Sequence, residues 1–245
     1  MASFVLVHGA WHGAWCWQRV IRHLVHAGHR CHAVTLTGVG DREHLLRPDI
    51  SLETHIADVC GLIEAEELHD EVLAVHSYAG MIGTAVADRM ADRLAHLVYV
   101  DAVLPEPGET WGSTHAPETR ATRVAAVNAD PMRSLAPPDA SLFGLSGVDR
   151  DWVNRRQTPH PGGLYLDVLN FNAATVAVIP RTFVSCEAPR LATIDTARER
   201  AKSAQTWGGL WFPRSRFVRM DTGHDPMVSA PEELARHLMN SADLT

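Results

Sequence analysis

The sequence predicts the α/β class: a mostly parallel, doubly wound sheet with helices on both faces and a small helical lid inserted over one edge. Three observations predict it. Short β-rich runs alternate with segments of helical period up to residue 105, two more strand-length runs follow residue 180, and prolines break the pattern between them. The 245 residues are 46% hydrophobic, ample for one buried core, so residues 1–245 are expected to form a single domain.

SFVLVHG, residues 3–9, is a β-rich run closed by glycine. Trp17, Val20, Ile21, Leu24 and Val25 then recur at helical spacing until Gly28 stops them. HRCHAVTLTG, residues 29–38, supplies the second strand. Ser51 is the predicted N-cap of a helix whose apolar face is Ile56, Val59, Cys60 and Ile63. EVLAVHS, residues 71–77, is the third strand, and Met81, Ile82, Ala85 and Val86 mark the helix after it. LAHLVYVDAVLP, residues 94–105, is the fourth, halted by Pro105.

Over residues 106–180, Pro107, Pro117, Pro131, Pro137, Pro138, Pro159 and Pro161 alternate with Trp111, Phe143, Trp152, Tyr165 and Phe171. So many prolines cannot sit in a parallel core, so this segment is expected to be helices and loops that cover the sheet edge as a lid. RTFVSC and SRFVRM are the last two strands, and Pro231, Glu232 and Glu233 open the final helix with a proline and acids in its first turn.

A formal charge of -7 provides no basic patch for a phosphate backbone, which argues against nucleic acid and for a neutral or apolar small molecule. The first residues lack a basic leader, and no apolar run approaches the ~18 residues a membrane span needs. Cys16, Cys31, Cys60 and Cys186 are scattered without C-x-x-C spacing, as expected of reduced thiols in a cytoplasmic protein. The oligomeric state stays open, a homodimer included.

In a parallel sheet, ligands bind beyond the carboxyl ends of the strands, so His8, Gly38, Ser77 and Asp101 should cluster. EVLAVHSYAGMIG, residues 71–83, nearly spells the Gly-x-Ser-x-Gly turn, with Val75 and Ala79 in place of the glycines. Such a turn holds its serine at φ > 0, lifts the hydroxyl clear of the sheet and sets it at a helix N-terminus that favours developing negative charge. Ala79 meets the demand for a small residue, whereas Val75 requires a wider strand–helix crossing. Ser77 is the candidate nucleophile. His224, in RMDTGHDPM, is the candidate base and falls in the chain order this architecture requires. Two backbone N–H groups, each worth ~3 kcal/mol of barrier, should hold the oxyanion. Tyr78 supplies one; Ala10, in the glycine-loosened HGAW loop, supplies the other in preference to Trp11.

FVLVHGAWHGAWCW near the start, HSYAG at the turn, YVDAVLPEPG after the fourth strand and TGHDPMVSAPEELA at the end together resemble the α/β-hydrolase fold family. The likeness is greatest to its esterase and hydroxynitrile-lyase branch, which includes plant methylesterases and bacterial pyrethroid-type carboxylesterases, and it covers nearly the whole chain except the lid. The resemblance implies a cofactor-free serine hydrolase that cleaves a carboxylic ester through an acyl-enzyme. In most relatives the triad acid lies a few residues past the strand that here reads RTFVSC, where the sequence continues Glu187, Ala188, Pro189 and Arg190. The haloalkane dehalogenase relatives include a group whose acid lies at the strand end that Asp101 occupies here. By that likeness Asp101 is the expected acid, with Glu187 the alternative. Lyases of the branch carry Thr and Lys where this chain has Gly9 and Asp225, and an acid there opposes cyanide departure. Ester hydrolysis is therefore preferred, with a lyase, a C–C bond-cleaving enzyme or a weakly catalytic ligand-binding protein as alternatives.

The aromatic lid implies a rather apolar substrate, held by Trp11, Trp111, Phe143, Trp152 and Tyr165. No metal is expected: His23, His26, His29 and His32 recur every third residue, but Gly28 breaks their helix and no acid or cysteine completes a ligand set. His12 and His76 are expected as hydrogen-bonded neighbours of the site and Cys186 as an inert buried thiol.

Overall fold

A computed structural model describes residues 1–243. The strands are β1 (Ser3–Val7), β2 (Arg30–Val34), β3 (Glu71–His76), β4 (Leu94–Val100), β5 (Glu109–Thr110), β6 (Ser134–Leu135), β7 (His160–Pro161), β8 (Val168–Leu169), β9 (Arg181–Cys186) and β10 (Ser215–Met220). Six of them form the main sheet in the order β10-β9-β4-β3-β1-β2, and every pairing in it is parallel. The inner strands β1, β3 and β9 are buried at every residue, which is why β1 and β3 carry near-continuous apolar runs rather than alternating ones, while β9 also buries Arg181, Thr182 and Ser185.

The helices are α1 (Gln18–His26), α2 (Leu52–Ala65), α3 (Gly80–Arg89), α4 (Pro117–Ala129), α5 (Gly147–Asn154), α6 (Ala173–Ala177), α7 (Asp195–Lys202), α8 (Pro226–Ser229) and α9 (Pro231–Ala242). Helix α1 packs against α9, and α2 against α3. Ser51 caps α2 as its sequence position predicts: its hydroxyl accepts from the Thr54 N–H at 3.3 Å and the Thr54 side chain answers the Ser51 N–H.

Two predicted strands are shorter than their apolar runs. β2 stops at Val34, and β4 stops at Val100 because Asp101 turns the chain with φ 42°. Residues 106–180 contain helices α4, α5 and α6, but also two antiparallel ladders, β5 with β8 and β6 with β7, where only helices and loops were expected. Strands of two residues leave no period to read in a sequence. The chain goes from β1 outward to β2 and returns to the other side of β1 as β3, so the strand order reverses between β1 and β3, and the site lies at that reversal.

Candidate active site

The turn after β3 places Ser77 at φ 55°, the left-handed conformation required of it. Val75 is not accommodated by a wider crossing. Helix α3 carries Gly83 against it, where an added Cβ would stand 2.6 Å from one Val75 methyl and 2.9 Å from the other. The small residue the turn needs has thus moved from the strand to the helix. On the other side, Gly9 leaves room for the serine: a Cβ there would stand 2.7 Å from Ser77 Cβ and 2.8 Å from His76 Nδ1.

Ser77 Oγ lies 2.9 Å from His224 Nε2, and His224 Nδ1 lies 2.7 Å from Asp101 Oδ2. With the Nδ1–H donating to the carboxylate, Nε2 is free to accept the serine proton. Three structures join here: the β3–α3 turn, the end of β4, and the loop from β10 to α8. The Val103 N–H, just past Asp101, ties the second to the first by donating to the Ser77 carbonyl at 2.9 Å, and His76 Nε2 ties in the third through the His224 carbonyl at 2.8 Å.

Asp101 is fully buried and accepts from a guanidinium absent from the sequence reading. Arg198 Nη2, on α7, lies 2.8 and 2.9 Å from the two carboxylate oxygens, and the Cys186 N–H donates to Oδ1 at 3.1 Å. Glu187, the alternative acid, accepts from the Ser185 hydroxyl at 2.7 Å and lies 3.7 Å from Arg190, while His224 Nδ1 is taken by Asp101.

Behind His224 lies a second charged pair. His12 Nε2–H donates to Asp225 Oδ2 at 3.1 Å and its Nδ1–H donates to the Ala10 carbonyl at 2.8 Å. Burial pulls the His12 ring down, but the Asp225 charge and these bonds raise it above its ordinary value. Burial likewise pushes the Asp225 carboxyl up, and the His12, His76 and His224 rings bring it below the usual carboxylate range. His76 Nε2–H donates to the His224 carbonyl at 2.8 Å, and burial and the His224 ring push His76 well below its ordinary value. His76, His224 and Asp225 are the one group of three potential metal ligands that converge among the described residues. A metal there would take a ring nitrogen of His224 away from Ser77 or from Asp101. Cys186 is buried and its thiol is pushed well above its ordinary value, first by burial and then by Asp101.

The Trp11 N–H is directed to His160 Nδ1 at 3.4 Å, whereas neither Ala10 nor Tyr78 has an acceptor for its backbone N–H among the described residues. Trp11 itself has φ 65°, and its indole N–H donates to the Leu135 carbonyl of the lid at 2.9 Å.

A cavity of about 390 Å³ opens on Ser77 and His224. Trp11, Trp111 and Phe143 line it as expected. Trp152 does not: it stands against Trp15 between the Arg19 and Arg156 guanidiniums. Tyr165 does not either, lying behind Trp111 with its hydroxyl donating to His115 Nδ1 at 2.7 Å. Both are aromatic lid residues, and side-chain direction in an irregular lid has no period to reveal it. Absent from the sequence reading are His115, Arg123 and Leu142 of the lid and the segment 190–194 after β9. A larger cleft of about 910 Å³ runs along α4 and shares only His115 with the cavity. Of the strand-end residues, Ser77 and Asp101 meet through His224, while His8 accepts the Leu36 N–H and Gly38 packs on Ile50 and Pro161.

A family model described as the Alpha/beta hydrolase family matches residues 4–237. The chain is 40% identical over 246 residues to a carbendazim hydrolyzing esterase of Nocardioides sp. (strain SG-4G), covering 97% of this chain and 98% of that one. It is 27% identical to Methylesterase 2 of Arabidopsis thaliana, over 98% of this chain and 95% of the other. Its fold is similar to that of an extracellular alpha/beta-hydrolase from a Paenibacillus species, with a TM-score of 0.82, 18% identity, and 98% and 99% of the two chains covered. No helix among the described residues is long and apolar enough to cross a membrane.

Proposed function

The chain belongs to the alpha/beta hydrolase family, and on that premise we propose that it is a serine esterase acting on a carboxylic ester with a largely apolar body. The observation that carries this reading is the unbroken relay Ser77 Oγ, His224, Asp101, at 2.9 and 2.7 Å. Ser77 attacks the ester carbonyl while His224 Nε2 takes its proton, and Asp101 holds the imidazolium through Nδ1–H. The oxyanion of the tetrahedral intermediate accepts the N–H groups of Ala10 and Tyr78. Collapse expels the alcohol, protonated by His224, and leaves an acyl-Ser77 ester. Water, deprotonated by His224, then attacks that ester and releases the acid.

The names of the relatives support ester hydrolysis, and two local features weigh against the lyase alternative. Any side chain at Gly9, threonine included, would run into Ser77, and Asp225 is an anion paired with His12 rather than a cation. A fluorophosphonate probe tests the reading together with p-nitrophenyl acetate hydrolysis. Both should depend on Ser77 and vanish in Ser77→Ala with the fold retained. A protein that neither takes the label nor hydrolyses the ester is a binder, and this proposal fails.

A further inference from the structure

The cavity has an unusual electrostatic lining. Two arginines reach it and no carboxylate does. Arg190 is already compensated, with Asp195 at 2.6 Å and Glu187 at 3.7 Å. Arg123, on α4, is not. Its guanidinium carbon lies 5.6 Å from the Trp11 ring, 5.4 Å from Trp111 and 5.7 Å from Tyr165, and its polar partners are neutral, the Tyr165 hydroxyl and His115 Nδ1 at a long 3.4 Å. No carboxylate of the described residues pairs with it, and the surroundings push it below the ordinary range of a guanidinium, burial first. His115 adds no anion: burial and then Arg123 bring its ring down to about 3, so it is neutral at pH 7. Three aromatic rings surround the cation and the Tyr165 hydroxyl and His115 take part of its hydrogen-bonding capacity, which leaves the rest of its five N–H groups as donors with no anion to meet them.

We propose that Arg123 is a specificity-determining residue that pairs with a carboxylate on the substrate, so that the natural ester has an apolar body ending in an anionic two-oxygen group. This deepens the esterase reading and rests on it. A guanidinium fork matches a carboxylate with two parallel hydrogen bonds, and in a cavity with no competing acid a bound anion also restores charge balance. Aromatic walls take the body of the molecule, Ser77 the ester carbonyl, and Arg123 the far end.

The test is inhibition of p-nitrophenyl acetate hydrolysis by benzoate against its neutral isostere benzamide, together with kcat/KM for methyl 4-carboxybenzoate against methyl 4-carbamoylbenzoate. Hydrogen bonds to charged groups are worth enough to make the anion of each pair preferred by ~10- to 100-fold in the native chain. Arg123→Gln should reduce both preferences to below ~3-fold, and Arg123→Lys, which keeps the charge without the fork, should retain part of them. Equal affinity for benzoate and benzamide in the native protein overturns the proposal, even if Arg123→Gln does not fold. A preference that survives Arg123→Gln, or an equal loss on anionic and neutral partners, also overturns it, because a merely structural arginine moves both alike. Hydrolysis of p-nitrophenyl acetate in the same assays separates this failure from failure of the esterase reading.

Discussion

Asp101 and Arg198 are 0% and 1% exposed, and the distances of 2.8 and 2.9 Å leave no room for water between them. Arg198→Met keeps the apolar stem and removes the charge. Asp101 would then be a buried anion held only by the Cys186 N–H and the His224 ring, while the Cys186 and Leu191 carbonyls, now at 3.1 and 2.9 Å from Arg198, would each lose that donor. Removing one partner of a buried ion pair costs about 3–5 kcal/mol. For a chain of this size each kcal/mol lowers Tm by ~2–4 °C, so a fall of roughly 6–20 °C is expected. Circular dichroism melts of Arg198→Met, Asp101→Asn and the double variant form a cycle. Because a neutral amide needs no guanidinium, the double variant should melt well above the sum of the two single losses. A single variant that melts within ~2 °C of the native chain, or strictly additive losses, would show that the pair is not what holds the carboxylate.

Asp101→Asn should lower kcat by ~10⁴, as loss of a triad acid does, while Glu187→Gln leaves ester turnover within about threefold; the reverse result would move the acid to β9. Gly83→Ala should cost about 1–3 kcal/mol through its collision with Val75, measurable in urea melts, and Val75→Ala in the same chain should restore most of it. Unchanged stability would mean that the crossing relaxes freely. Burial brings His8 and His115 down to about 3 and His55 and His96 to about 4. Between those values and the unfolded value of ~6.5 the unfolded chain holds protons that the folded chain does not, so stability is lost as pH falls, by up to ~1.4 kcal/mol per pH unit for each ring. His12, raised by Asp225, acts in a different window: its stabilisation is fully present below ~6.5, so it leaves that fall unchanged, and it is lost as pH rises above ~6.5 through its folded value. Tm should fall steeply from pH 6.5 toward pH 4, and a flat profile over that interval would refute the buried neutral rings.

Much of the site was legible because its parts are local. The strand ends, the Ser-Tyr-Ala turn, the HGAW loop and the TGH loop are each contiguous, and each announces its backbone geometry through residue type: Ser77 at φ 55° follows a buried strand and precedes a helix. Trp152 and Tyr165 were misplaced for the opposite reason. They stand in a segment of short ladders and single turns, where neither period 2 nor period 3.6 reports which way a ring faces. Arg198 was invisible because an arginine on a short polar helix reads as a solvated face, and only the approach of α7 to the end of β4 makes it the partner of Asp101.

By itself the sequence determined the α/β class, the order of its strands along the chain, the serine turn and the histidine loop, since each is announced by a local pattern of residue types and by the length of the apolar runs. Tertiary structure decided which carboxylate reaches His224, which helix residue makes room for Val75, and which arginine stays uncompensated in the cavity. Those outcomes are contacts across 123 residues from Asp101 to His224, between a strand and the helix that crosses it, and between a lid helix and the aromatic rings it covers. They follow from how surfaces meet, and no local pattern encodes that.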